Sequence, residues 1–500
     1  MSKYTHTPNT IRFKDIEKND FNLSASQYNK VIIPNDNCRL VRDFLTRNLV
    51  RGDLGVEVGA TNYIEESPYK FIRTKALQSH SFLLDITKET ALPVLPNEFI
   101  QMNLSKGDLL ISKDSNIGEI VILDKDYPNF MLSSAIYKLP VKEEWKYYLL
   151  SFIKHDIFRE QLDSMVPKGA TIRHAKTMFL DCKIPLPKYN TEAIIAFISI
   201  LTQAIINKEI QIRVRFNKIL ELIEEELKSN QKPNNFIYKL PKFEDLANIG
   251  RLDTNMYRYS FKKEIFYIIN YDGGFKTIEQ LGFKMSRGQN LQVSNIGKSI
   301  YSPKWYPNFY TLILPMFLSK YGTVDKICYL GNRNTLKTLK KGDLIFGAEG
   351  FEKGRSVVIV EEQSNSITNI HGITFQQDKH DLNNAIFVKC ILDYLRSKGL
   401  IDLFAVGGNG GSLAQKYWTY IPFPLFSNKK RNEIVSLYFN STEYDTQEFT
   451  VENFIDKDSI FNEKAGIYEL DKSLKQLKFI LNETINDIVN DNEVNIKFNI

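Results

Sequence analysis

The sequence predicts an α+β protein made of two similar modules, each followed by a long helix, and three observations carry that reading. First, "KGDLL" at 106–110 returns as "KGDLI" at 341–345. Second, its surroundings return with it: "NLSASQY" (22–28) resembles "RLDTNMY" (251–257), and "KIPLPKYN" (183–190) resembles "YIPFPLFS" (420–427). The offsets are 252 − 23 = 229, 342 − 107 = 235 and 421 − 184 = 237. Nearly equal offsets in the same order mean one unit written twice. Third, each I-P-x-P segment is followed by a helix-forming run with an apolar seam.

The elements follow in chain order. In the first module, "DLLISK" and "GEIVIL" read as short strands, and "WKYYLLSFIKHDIFREQL" (145–162) reads as a helix. A Gly-bearing loop, "VPKGATIRH" (166–174), precedes the exit. The run 191–231 then has no internal Pro or Gly, and Ile198, Leu201, Ile205, Ile212, Ile219 and Leu222 fall on a 3-and-4 spacing. That is a long helix with a heptad-like seam. In the second module, "DLIFGA" and "RSVVIVEE" are the strands, 383–398 the helix and "VGGNGGSLAQ" (406–415) the loop. A short helix at about 428–440 and an acidic insertion at 441–466 come next. A second seam follows at Leu470, Leu474, Leu477, Leu481 and Ile488. Two helices with one apolar seam each are expected to pair. The division expected is a module at 1–190, a helix region at 191–232, a module at 233–426 and a second helix region at 427–500.

Bulk properties agree. Five hundred residues exceed what one core usually serves, and 43% hydrophobic content supports folded domains. The formal charge of +6 permits a polyanion partner without demanding one. Cys38, Cys182, Cys328 and Cys390 lie far apart with no CxxC spacing, which suggests neither a zinc site nor a disulfide framework. The start "MSKYTHTPNTIRF" lacks a signal peptide's apolar stretch, and "IIAFISIL" (194–201) is too short to span a bilayer. A cytoplasmic protein with no membrane partner is expected.

Bond-making chemistry is not visible. "SNIGKS" (294–299) imitates the end of a P-loop, but the first glycine it needs would stand where Gln292 stands. There is no Asn-Pro-Pro-aromatic or Asp-Pro-Pro-Tyr segment of an amino-methyltransferase, and His371, His380 and Cys390 have no metal-ligand spacing. The chain offers instead loops that mix cations, amides and glycines. Lys168, Thr171, Arg173, His174 and Lys176 lie in 167–176; Lys284, Arg287, Gln289 and Asn290 in 283–294; Lys353 and Arg355 in 349–356. Arg forks match guanine O6 and N7, Asn and Gln amides match adenine N6 and N7, and Lys suits phosphate. All of these but His174 are the candidate DNA-binding residues.

Two modules opened by "RLD…Y"-like segments, each containing KGDL, closing with I-P-x-P and followed by a long helix, resemble the DNA-specificity (S) subunit of type I restriction-modification enzymes. The resemblance covers essentially the whole chain. It implies two target recognition domains separated by an antiparallel coiled coil of two long helices, and a bipartite double-stranded DNA target. It also implies two methyltransferase (M) subunits that use S-adenosylmethionine, restriction (R) subunits that use ATP in the full complex, and no catalysis or cofactor in this chain. "NLSASQY" lacks the Arg and Asp of its counterpart, and the acidic stretch interrupts the second helical region. Two other readings remain open at this point: a self-sufficient modification enzyme with an unrecognised catalytic motif, and a coiled-coil interaction protein unrelated to DNA.

Overall fold

Both KGDL segments fold into the same turn. Gly107 and Gly342 take left-handed φ angles of 87° and 82°, a conformation that glycine enters without strain. Their N–H groups donate to the carbonyls of Leu123 and Ile359, each at 2.8 Å. The following carboxylates reach back in the same way: Asp108 accepts from Ser105 N at 2.8 Å and Asp343 from Lys340 N at 2.9 Å. This computed structural model describes residues 3–18, 21, 23, 28–166, 174–252, 254–350, 353–362, 365–406 and 411–498. The chain forms two units, one of residues 1–210, 444–463 and 472–500, the other of 211–443 and 464–471.

In the first unit, the strand Leu109–Ser112 pairs antiparallel with Ile120–Ile122 on one side and Ile136–Leu139 on the other. All four of its residues are buried, as expected of an apolar run covered on both faces. A second sheet has Lys70–Ile72 at its centre, antiparallel to Ala91–Pro93 and parallel to Phe130–Leu132. Leu110, Val121, Leu132 and Ile136 join the two sheets in one core.

The second unit repeats this plan with an extra strand in each sheet. Leu344–Gly347 lies between Ser356–Val358 and Gly372–Gln377, and Phe283–Arg287 adds an edge. Tyr310–Leu312 is antiparallel to Cys328–Asn332 and parallel to Ser366–Ile367, with Ser299–Ser302 added beyond. The same pair of relations around the central strand, one antiparallel and one parallel, appears in both units. The exits match too: Lys183–Pro185 pairs with Cys38–Leu40, and Phe423–Pro424 with Phe275–Lys276. Even a buried cation is repeated. Lys154 and Lys389 stand 389 − 154 = 235 positions apart, with side chains 7% and 0% exposed. Lys154 donates to Gln78 O at 2.6 Å and Lys389 to Tyr321 O at 3.2 Å.

The single helix expected over 145–162 is two, Lys146–Lys154 and Asp156–Met165. His155 breaks it. Its backbone is extended, and its Nδ1 accepts from Ile157 N at 3.2 Å, so the imidazole caps the second helix. Only the neutral ring can accept there, and burial pushes its pKa down to about 4 from 6.5. Between those values the unfolded chain binds the proton and the folded one does not, so stability rises with pH over this window and is lost as pH falls through it. His155→Asn keeps a capping acceptor without the titration. Comparing urea midpoints of the two proteins from pH 4 to 6.5 is expected to show a flatter slope in the variant, the wild type losing up to roughly 3 kcal/mol more.

The helix Thr191–Ser229 runs 39 residues. By length and composition alone it could cross a membrane, but more than half of its apolar window is buried inside the protein. In the first unit Phe197, Ile198, Leu201 and Ile205 are buried. There Glu209 receives Lys478 of the helix Ile467–Val489 at 2.8 Å, together with Ser81 Oγ at 2.8 Å and Phe82 N at 2.9 Å. The acidic stretch expected to interrupt the second helical region is itself a packed element, with a helix at Phe454–Lys464. Its Asp458 meets Lys208 at 2.7 Å, and both side chains are buried.

Candidate nucleic-acid interface

In the second unit, sheet topology gathers four connections at one end. Phe283–Arg287 and Leu344–Gly347 both run antiparallel to Gly372–Gln377, so their C-terminal ends lie beside its start, in the register Arg287↔Ile373 and Gly347↔Gly372. Arg287 stands there at the end of an edge strand, whereas the sequence placed it in a loop. Its Nη1 donates to Glu349 Oε1 at 3.0 Å and to Ile370 O at 3.3 Å, and its Nη2 to Ser412 Oγ at 3.4 Å. The other oxygen of Glu349 meets His371 Nδ1 at 2.6 Å. Glu349 also forms a backbone bridge with Ser412, which draws the loop before the second exit into the cluster. Arg287 and Glu349 are each about one-third exposed and His371 more so, which makes this an accessible polar cluster.

Gly288 makes the next step possible. A Cβ there would lie 2.1 Å from Asn369 O, so only glycine allows Gln289 N to reach Thr368 O at 2.8 Å. Gln289 Oε1 accepts from Lys337 N at 3.4 Å, and Asn290 Oδ1 accepts from Gln292 N at 3.1 Å. Both amide groups keep their NH₂ ends free of any protein hydrogen bond among the described residues.

The other predicted cations of this unit sit elsewhere. Lys284 is three residues before Arg287, roughly 10 Å along the strand and on the opposite face. It pairs with Asp378 at 2.8 Å and lines an open cleft with Glu279, Lys416 and Thr419. Lys353 has a side chain only 6% exposed and bonds Asp402 at 2.9 Å, so a phosphate could reach it only by breaking that pair. Arg355 is half-buried and donates to Leu318 O at 2.8 Å.

In the first unit, Lys168, Thr171 and Arg173 lie outside the described residues. Lys176 is exposed, at a left-handed φ of 46°. Before it, His174 Nδ1 meets Asp114 Oδ1 at 2.8 Å, and Lys113 Nζ pairs with the other oxygen. Asp114 and His174 also form a backbone bridge. Sequence reasoning missed Asp114 and Glu349, and saw in His371 only a histidine without metal-ligand spacing. A signal for the two acids was present: each stands seven positions after the glycine of its KGDL turn.

Burial pushes the thiols of Cys182 and Cys390 up to about 12, which removes them as nucleophiles at neutral pH. Among the described residues no group of three or more His, Cys, Asp or Glu side chains is placed to hold a metal.

A duplicated α/β scaffold presenting cations and amides at one end of a sheet has the chemistry that suits the reading of nucleic acid. Residues 60–215 match the type I restriction modification DNA specificity domain. Three solved structures are also similar to the chain, and the alignment covers 92% of this chain in each case. They are the type I restriction-modification S subunit from M. genitalium (14% identity, 98% of that chain, TM-score 0.39), a structure concerned with complex assembly and conformational transition of the type I R-M system (10%, 99%, 0.28), and the HsdS subunit from Thermoanaerobacter tengcongensis (11%, 98%, 0.26). Likenesses this low fix no geometry. No curated protein sequence matches the chain.

Proposed function

We propose that this chain reads a bipartite DNA sequence, one half with each unit, and positions two methyltransferase subunits on it. The observation that carries this reading is the duplicated scaffold. Turn, sheet order, exit pair and buried lysine all repeat, while the side chains at the sheet end differ, and the first copy carries a DNA specificity domain. A repeated frame with unlike tips suits two unlike half-sites. The helices of 191–232 and 467–490 pair antiparallel as the spacer, which the Lys478–Glu209 contact supports. The chain itself binds neither cofactor nor metal. S-adenosylmethionine is used by the methyltransferase subunits, and ATP by the restriction subunits of the full complex, in the cytoplasm.

The test is to purify the chain alone and with its methyltransferase partner, and to measure methylation of DNA of known sequence. Methyl transfer is expected only from the complex. Activity of the chain alone, or failure to form a stable complex, rejects the assignment. Within that complex Arg287 is the foremost base-reading candidate of the second unit. Arg287→Ala is expected to cost about 1–3 kcal/mol of binding and to relax one position of one half-site, with the other half unchanged. Binding to duplexes carrying single-base changes measures this directly.

A further inference from the structure

The acids missed by the sequence reading stand at equivalent places: 349 − 114 = 235, the offset of the two KGDL glycines. We propose that Glu349 and Asp114 are positioning residues for base reading, each carboxylate holding the cations of its own unit in the orientation that meets a base edge. The inference rests on the DNA-reading function proposed above and names how it is built.

Each carboxylate bridges two basic groups, but the groups come from different parts of the two units. Glu349 takes Arg287 from the edge strand and His371 from the turn before Gly372–Gln377. Asp114 takes its neighbour Lys113 and, from the loop before the exit, His174. The acid is thus part of the repeated frame, whereas its cations are rebuilt in each copy. That is the pattern expected of a common clamp serving two different readings.

Glu349, about one-third exposed, would be repelled by a polyanion, and the buried Asp114 gives up hydration, so a carboxylate at either place needs a compensating role. Holding the loops is not that role. The bridges Glu349↔Ser412 and Asp114↔His174 are made by backbone groups and need no carboxylate. Orienting Arg287 is. With Nη1 tied to Glu349 and Ile370 O, the guanidinium keeps its Nε and Nη2 edge in reserve, its hydrogen bond among the described residues there being the long contact to Ser412 Oγ at 3.4 Å. Two parallel donors on one edge match guanine O6 and N7, and an arginine already held loses less freedom on binding.

The experiment uses the complex with methyltransferase subunits, with Glu349→Ala, Glu349→Gln, Arg287→Ala, the Glu349→Ala/Arg287→Ala double variant and Asp114→Ala. Discrimination at every target position, binding to non-target DNA and thermal unfolding are measured together. Glu349→Ala is expected to lose about tenfold in discrimination at the position relaxed by Arg287→Ala, and to bind non-target DNA more tightly because a negative charge has gone. The double variant should be no less selective than Arg287→Ala, and Glu349→Gln should recover part of the loss. Asp114→Ala should relax one position of the other half-site. Additive losses, or a lowered melting temperature with discrimination intact, overturn the proposal while leaving Arg287 as a reader. If Arg287→Ala changes no position, the base-reading assignment of that residue fails and takes this inference with it.

Discussion

Asp458→Ala is expected to destabilise the first unit by about 3–5 kcal/mol, the usual consequence of stranding a buried charge. Lys208 is fully buried in the helix Thr191–Ser229, and its ammonium lies 2.7 Å from Asp458 Oδ1 and 2.7 Å from Asn462 Oδ1. It also sits over the rings of Tyr444 and Phe461, at 4.4 and 4.6 Å. The carboxylate is held in turn by Tyr444 OH and by Asn462 Nδ2, each at 2.7 Å. Alanine removes the centre of this network. Lys208→Met combined with Asp458→Asn removes both charges, keeps an acceptor for the tyrosine, and should recover most of the loss. Burial lowers the pKa of Lys208 to about 8 from 10.5. Above pH 8 the folded state releases a proton that the unfolded chain keeps until about 10.5, so this residue's contribution to stability rises with pH across that window. The penalty of Asp458→Ala should therefore shrink in mild alkali. Denaturant titrations at pH 7 and pH 9.5 check both statements, and a penalty that grew with pH would show that Lys208 is not a buried cation.

That network also shows where the sequence was legible and where it was not. The duplication could be read because a left-handed glycine followed by a capping aspartate is local chemistry, written in adjacent letters at 106–110 and 341–345. The seams could be read because helical periodicity is local as well. Asp458 looked like one charge in an acidic insertion, because its partner lies 250 positions away, where 458 − 208 = 250. Lys353 looked like an offered cation for the same reason: Asp402, which binds it, is distant in sequence. Arg287 was singled out for its chemistry and misplaced in its backbone. "FKMSR" has the short alternation of an edge strand, but the glycines on either side of it suggested a loop. His155 was hidden by its surroundings, since nothing in an apolar helical run announces that an imidazole will cap the second half. What stayed illegible in each case is long-range pairing, which a single sequence records only at both ends and never as a pair.

Exchanging residues 233–426 for the corresponding module of another family member is expected to change one half of the methylated motif completely and leave the other half intact. The second unit's polar cluster, the proposed reading end, is built from its own strands. Arg287, Glu349, His371 and Ser412 are held by one four-stranded sheet and the loops at its end. The exchange does cut contacts that fix the module to the helices flanking it. Tyr271 OH donates to Glu226 Oε1 at 2.7 Å, Tyr438 OH donates to Gly322 O at 2.7 Å, and Lys389 lies over the Tyr438 ring at 4.2 Å. A donor module lacking equivalents of Tyr271, Gly322 and Lys389 loses the bond to Glu226, the left-handed turn that presents the residue-322 carbonyl to Tyr438, and the cation over the Tyr438 ring, at a cost of about 1–3 kcal/mol. Two donors, one keeping these three residues and one not, therefore separate the two effects. Methylation sequencing should report a new half-site from both, while thermal unfolding should show the second donor melting earlier. A change in both halves of the motif would mean that neither unit reads DNA by itself. The shared frame of KGDL turns, exits and buried lysines would then serve a purpose other than holding two independent readers.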